Sequence, residues 1–327
     1  MTPVSYDISV VICAYTEKRW NEVMAAVTSV QHQTLPAKDI IVVVDHNPIL
    51  LQRVKEHISE VTVIENSGDK GLSGARNSGW RTAQGAIVAF LDDDAIAAPD
   101  WLENLVACYA DPEIAGVGGK ILPLWRAPRP GWLPHEFNWV IGCTYRGLPT
   151  ENTRIRNVIG ANMSMRRSIL EAVGGFRESF GCDKSTDTSQ GILKWFNHYA
   201  GDEETEFCIR VSEQLPGSAW LYATTAIVQH QVSPERTRWG YFVWRCYDEG
   251  LGKANLVKLH NASAALSSER NYTLKVLPSG VVRGVADTFL RFDHTGILRA
   301  GAIVAGLAIT IIGYLVGSIS LRLERAS

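Results

Sequence analysis

The chain has 327 residues, of which 46 % are hydrophobic and 20 % charged, with a formal net charge of −2. Such a chain can bury a sizeable core, which excludes an intrinsically disordered protein. The near-balanced charge gives no global attraction to nucleic acid, and no nucleic-acid partner is expected. Six cysteines at 13, 108, 143, 182, 208 and 246 form no C-x-x-C pair and no metal-ligand spacing. That argues against a disulfide framework or a zinc site and for a reducing compartment. The N-terminal stretch MTPVSYDISVVICAY lacks the basic segment, long apolar run and cleavage site of a signal peptide, so none is expected.

Residues 8–14 (ISVVICA) and 40–44 (IIVVV) are apolar, β-branched runs of the kind that buried parallel strands carry. Between them, residues 20–33 set Val23, Val27 and Val30 at helical spacing. A strand at 61–64, a helix at 74–83 and a strand at 86–91 follow. This alternation predicts an α/β fold of right-handed βαβ units, with a Rossmann-like open twisted sheet of mostly parallel strands. Ligands of such sheets bind at the carboxyl ends of the strands, where Tyr15, Asp45 and the run Asp92-Asp93-Asp94 fall. From about 120 to 200 the pattern loosens, and prolines with Trp125, Trp132 and Trp139 suggest long, aromatic-rich surface segments. A helix at 168–173, an acidic stretch at 201–211 and a strand at 223–228 restore regularity.

Toward the C-terminus, Arg283, Asp287 and Arg291 recur every four residues and leave Val281, Val282, Val285, Ala286, Phe289 and Leu290 as an apolar face. This predicts an amphipathic helix that either lies in a bilayer interface or packs on the folded domain. Residues 300–321 then run 22 positions without a charge. At about 1.5 Å per residue they cover the roughly 30 Å hydrocarbon core of a bilayer. Arg299 precedes this run and Arg322 and Arg325 follow it, as flanking anchors would. One transmembrane helix at 299–322 is expected, with a buried core helix as the alternative.

Three consecutive aspartates close the strand in FLDDDAIAAPDWL. Carboxylates crowded at a strand end repel one another, a cost tolerated when a divalent cation gathers them. The spacing from Asp92 to Asp94 puts both side chains on one side of an extended backbone. A hard cation there, Mg2+ or Mn2+, would keep positions open for diphosphate oxygens; a solvated loop capping the next helix is the plainer alternative. Upstream, GDKGLSGARNSGWRTAQG sets glycines with Arg76 and Asn77 at the start of a helix, which suits an anionic group. Downstream, GDEETEFCIR holds Asp202, Glu203, Glu204 and Glu206. Acids so dense at a helix start either complement the helix dipole or supply a carboxylate that can accept a proton.

Taken in order, VVICAYTE, Asp45, GLSGARNSG, FLDDD, GANMSMRR, GGFRESFG and EETEF resemble the family-2 glycosyltransferases of GT-A fold, from about residue 8 to 240. The resemblance implies that Tyr15 stacks on the base of a nucleotide-sugar donor, that Asp45 hydrogen-bonds that base and that Arg76 contacts the diphosphate. It further implies that Asp92 holds the ribose or the metal and that Asp94 ligates the metal, with Glu17 and Asp93 completing the donor-binding set. The family's acidic motif reads Glu-Asp. Here it is Glu203-Glu204, so Glu204 stands where the aspartate base would be, one methylene longer. Asp45 is followed by His46-Asn47 where Asp-Gly-Ser is more common. ERTRW resembles the Q-x-x-R-W element of processive synthases and brings Arg238 and Trp239 to the donor. Those synthases need a multi-span channel, so a single addition is expected. His230, just after a strand, either completes the metal site or is structural.

The block GWLPHEFNWVIGCTYRGLP and the C-terminal span are similar to glucuronosyltransferases that act on lipid-linked glucose in archaeal N-glycosylation. The implied activity is an inverting, metal-dependent transfer from a nucleotide sugar, a UDP-sugar, to a polyprenyl-linked or glycan acceptor. The implied layout is a GT-A domain at 1–250, a helical linker or interfacial segment at 251–298 and the span. It makes a single-pass protein of the cell membrane with its catalytic domain in the cytoplasm. A nucleotidyltransferase of related fold would carry a G-x-G-T-R-like loop where CAYTEKRW stands. An inactive scaffold of the same fold would have lost the aspartates or the acidic base.

Overall fold

The computed structural model describes residues 7–180, 202–260 and 267–323. The β-branched run of β1 (Ile8–Ala14) lies inside a nine-stranded sheet with Val10, Val11 and Ile12 buried. It pairs parallel with β2 (Asp39–Val44) and β4 (Ile87–Asp92), and β2 pairs parallel with β3 (Thr62–Glu65). The helices α1 (Trp20–Gln31), α2 (Pro48–His57) and α3 (Leu72–Thr82) lie between these strands along the chain. The spacing of Val23, Val27 and Val30 is that of the buried face of α1. α2, not among the expected helices, has a clear start signal: the Asn47 side chain accepts from the Leu50 amide and Pro48 opens the first turn.

The parallel order holds for these four strands. Beyond β4 the strands reverse, and the sheet as a whole is mixed. β8 (Asn162–Arg166) runs antiparallel to β4 and to β6 (Ile114–Trp125). β5 (Ala95–Ala97) and β7 (Thr153–Ile155) run antiparallel to β9 (Ala219–Val232). The order is β3-β2-β1-β4-β8-β6-β9-β5. β6 has no counterpart among the strands expected from the sequence, because its glycines mask the strand pattern. At Gly119 a Cβ would run into the Ala226 carbonyl and the Asn162 amide, and at Gly116 into the Trp220 ring.

The described residues divide into two compact units, one of residues 7–122, 149–180 and 203–230 and the other of 123–148, 202, 231–260 and 267–323. The first unit holds α4 (Trp101–Ala107), α5 (Arg167–Val173) and α6 (Glu203–Gln214) besides the sheet. Its core gathers Val11, Val43, Phe90, Met163, Phe207 and Trp220. Phe176 meets Phe90 edge-on with centroids 5.5 Å apart, fixing the segment after α5 to the sheet.

In the second unit, α7 (Trp239–Leu259) packs against the C-terminal helix Thr295–Leu323, which also packs on the helix Leu277–Leu290. The predicted amphipathic face of the latter turns outward, with Val282, Phe289 and Leu290 exposed. Its buried side is made of small residues: a Cβ at Gly284 would meet the Gly296 carbonyl and Ala300. Close backbone approach decides which side goes in, and an apolar count cannot see it. The C-terminal helix is apolar and long enough from Thr295 to Arg322 to cross a membrane. Its contact with α7 is likewise glycine-built, since a Cβ at Gly250 would strike the Thr310 carbonyl and the Tyr314 amide. Gly250→Val is therefore expected to cost about 1–3 kcal/mol of stability through overpacking. Urea denaturation in a fixed detergent reads this, and an unchanged midpoint would mean that the two helices do not meet there.

Candidate active site

Asp92 is the last residue of β4. The extended backbone expected from Asp92 to Asp94 is not found: the chain turns at Asp93 and Asp94 before re-entering the sheet as β5. The antiparallel register of β5 on β9 sets Ala95 opposite His230, which brings the histidine beside the aspartates. His230 Nε2 lies 3.0 Å from Asp94 Oδ1. Asp92, Asp94 and His230 each offer a ligand atom, and these atoms lie within 4.8 Å of one another. The turn thus does what the extended spacing was expected to do.

Arg19, in the 3-10 turn Glu17–Arg19 after β1, comes within 2.7 Å of Asp93 Oδ1 and 3.2 Å of Asp94 Oδ2. It is not among the site residues expected from the sequence, although the basic pair in TEKRW just past the strand-end Tyr15 is a signal for it. Burial pushes the Asp93 carboxyl up to about 7 against the pull of Arg19. Burial likewise raises Asp92, against Arg76. Asp93 Oδ2 is buried and has no hydrogen-bond partner among the described residues. Among the described residues, the ion pairs of the four carboxylates Asp92, Asp93, Asp94 and Glu203 run to two arginines, Arg19 and Arg76, and to His230. A buried cluster this short of positive charge fits a divalent cation, and its oxygen and imidazole donors suit one.

Arg76 lies deeper than its sequence position suggested. The helix α3 begins at Leu72, so Arg76 sits in the second turn and not at the N-terminus, and everything from Ser73 to Trp80 is buried. Its Nη1 donates to Glu203 Oε1 at 2.6 Å, and its Nη2 lies 3.6 Å from Asp92. Gly160 makes room for the guanidinium, because a Cβ there would be 2.6 Å from Nη2. Arg76→Gln should therefore cost roughly 3–5 kcal/mol by stranding the buried Glu203 carboxylate. Arg76→Gln/Glu203→Gln should recover part of that loss in urea titrations. A single variant as stable as the parent would discount the pair.

The acidic motif separates into distinct partners. Glu203 pairs with Arg76, and the fully buried Glu206 pairs with Arg210 at 2.9 Å and Arg177 at 3.1 Å. Glu204, between them in the first turn of α6, is partly exposed. Asp202 belongs to the second unit, 3.8 Å from Lys253.

Asp45, at the end of β2, is buried and organises the glycine loop. It accepts from Asn66 Nδ2 at 2.6 Å and from the Gly71 amide at 3.0 Å, and the His46 ring lies 2.9 Å away. Tyr15 stands at the end of β1, 53 % exposed, with the Arg19 guanidinium 5.3 Å from its ring centre. Glu17 opens the same 3-10 turn, its carboxyl held below the usual range by its own backbone amide and by Asn47. Arg238 and Trp239 belong to the second unit, where Trp239 is half exposed and stacks on Phe242 at 5.1 Å.

A mixed sheet with carboxylates and a histidine gathered at its strand ends is the architecture of a GT-A glycosyltransferase. Residues 9–174 match the family described as glycosyl transferase family 2. The chain is 34 % identical over 274 residues to the glucosyl-dolichyl phosphate glucuronosyltransferase of Haloferax volcanii, covering 83 % of this chain and 82 % of that protein. The protein belongs to glycosyltransferase family 2. Its fold is similar to that of the mannosyltransferase PcManGT of Pyrobaculum calidifontis, solved with GDP-Man and Mn2+. The TM-score is 0.59 at 16 % identity, over 95 % of this chain and 88 % of that one. It is also similar to GalNAc-T7, solved with UDP, GalNAc and Mn2+, with a TM-score of 0.54 at 17 % identity, over 83 % of this chain and 55 % of that one.

Proposed function

We propose that the protein transfers a sugar, with inversion, from a UDP-sugar to a hydroxyl of a lipid-linked or glycan acceptor, one sugar per encounter, at a membrane. The observation that carries this reading is the convergence of Asp92, Asp94 and His230 beside a buried oxygen of Asp93 that has no hydrogen-bond partner among the described residues. Those three residues would hold Mg2+ or Mn2+, which would supply charge neutralisation for a departing diphosphate. Glu204 accepts the proton of the acceptor hydroxyl as that oxygen bonds to the anomeric carbon. The bond from that carbon to the diphosphate breaks on the opposite face, and its electron pair leaves with the nucleotide diphosphate.

Tyr15 stacks on the base, and Asp45 and Glu17 bind at the same end of the donor. Asp92 and Asp93 face its ribose and diphosphate, and Arg76 adds positive charge from behind Asp92. The Haloferax volcanii relative is named for glucuronosyl transfer and glucosyl-dolichyl phosphate. By extension the donor here carries a uronic acid and the acceptor a polyprenyl-phosphate sugar. The C-terminal helix brings the protein to that lipid as a single-pass anchor, with the catalytic domain facing the cytoplasm, where nucleotide sugars are found.

The test is turnover by the purified full chain in detergent, with Mn2+, against a panel of UDP- and GDP-sugars. Release of UDP with one sugar added to a glucosyl lipid is expected, and the anomeric proton coupling of the product should report inversion. A retained configuration sinks the displacement mechanism. Binding of nucleotide diphosphate with no transfer from any donor sinks the transferase reading.

A further inference from the structure

Within the second unit, Arg129 is a partly buried cation that makes no ion pair with a carboxylate among the described residues, although Glu136 is near enough to act on it electrostatically. Its Nη2 donates to the Leu133 carbonyl and to Asn138 Oδ1, each at 3.0 Å, and its guanidinium lies 5.3 Å from the Trp125 ring centre. All three partners are neutral. The same short loop folds a second arginine in: the Arg146 amide donates to the His135 carbonyl at 3.0 Å, and Asn138 Nδ2 donates to the Thr144 carbonyl at 3.1 Å. Arg146 and Arg283 then converge on one oxygen, Glu136 Oε1, at 3.3 and 2.9 Å. One carboxylate faces two guanidiniums.

The surroundings do not make up the deficit. Gly131 of this loop abuts Thr295 at the start of the C-terminal helix, and Thr295 accepts from Arg299. Arg299 and Arg291 share Asp287, and Arg299 also takes Asp293. Five arginines (129, 146, 283, 291 and 299) thus face three carboxylates, Glu136, Asp287 and Asp293. Burial first, and then Arg129, Arg146 and Arg299 against the opposing pull of Glu136, hold His135 below its ordinary value. Helix Leu277–Leu290, which supplies Arg283, turns Val282, Phe289 and Leu290 outward, and Phe292 follows at 81 % exposed. A cation excess beside an outward apolar stripe matches a molecule that carries phosphate and hydrocarbon together. A soluble phosphate has no use for the stripe.

We infer that Arg129 and Arg146 form a site for the phosphate of a membrane lipid, with the outward face of the Leu277–Leu290 helix against its hydrocarbon. The lipid's identity as the acceptor rests on the transferase reading above; the phosphate site itself does not.

The test uses the purified full chain and phosphatidylcholine vesicles with and without phosphatidic acid. Phosphatidic acid should tighten binding of the parent, and Arg129→Gln/Arg146→Gln should lower that affinity about 10- to 30-fold, as expected for two arginines near a charged surface. Binding to phosphatidylcholine alone should be kept. A control with the same charge change, Arg270→Gln/Arg291→Gln, should lose less; an equal loss means diffuse attraction and overturns the site. Arg146 is half exposed, so Arg146→Gln alone gives the same reading if the double variant does not fold, and full retention of the preference in it overturns the proposal. Inorganic phosphate that erases the parent's preference at constant ionic strength would show a free-anion site and overturn the lipid assignment. UDP release with a water-soluble glucoside is read in parallel. Its absence with an intact lipid preference counts against the transferase reading and leaves this one standing.

Discussion

Asp94→Ala is expected to lower transfer by at least about 10²–10³, the scale for removing one group that stabilises developing charge, while leaving the protein folded. Asp94 meets His230 at 3.0 Å and Arg19 at 3.2 Å, and it supplies one of the three grouped ligand atoms. Two ligands in place of three should lose the cation together with the nucleotide diphosphate it holds. Stability should not suffer in proportion. Arg19 keeps its 2.7 Å contact with Asp93, and removing one carboxylate from a crowded acidic turn relieves repulsion. Calorimetry of Mn2+ and UDP binding reads the loss directly, and a melting curve checks the fold. A folded variant that binds both as the parent does would sink the metal site and the mechanism built on it.

How much of this was legible beforehand depends on the range of the interaction. β1, β2 and β4 announce themselves because strands buried on both faces are continuous β-branched runs, a local property. The strand β6 does not, because its glycines answer to Trp220 and to Ala226, about a hundred residues further on. The aspartate run is conspicuous for its chemistry, yet its spacing points to an extended shape, since a turn at Asp93 and Asp94 is set by where β5 must pair. His230 was a candidate with two open readings. Only the pairing of Ala95 with His230 sets it beside Asp94. Arg76 was flagged as an anion contact, but a helix that starts two residues earlier carries it inward to Glu203. The amphipathic helix was visible from its charges, and the direction of its apolar face was not, because Gly280 and Gly284 decide it by how closely they let other residues approach.

Glu204→Gln should behave unlike Asp94→Ala, with a loss of about 10²–10⁴ in turnover and unchanged binding of Mn2+ and UDP. The amide has nearly the shape of the carboxylate but cannot take a proton at neutral pH. The structure gives a physical reason to prefer Glu204 over its neighbour. Glu203 is 3 % exposed and holds Arg76 at 2.6 Å, so a proton taken there would leave Arg76 without its counter-charge in a buried setting. Glu204 lies one residue on, partly exposed in the first turn of α6, where the partial positive charge of the helix end favours an ionised carboxylate. Glu203→Gln should therefore register mainly as lost stability, through a weakened pair with Arg76, and Glu204→Gln mainly as lost turnover with an unchanged melting temperature. Single-turnover measurements with pre-bound donor separate the chemical step from binding. If Glu203→Gln stays folded and inactive while Glu204→Gln turns over normally, the base is one residue earlier and the Arg76–Glu203 pair is part of the proton-transfer machinery.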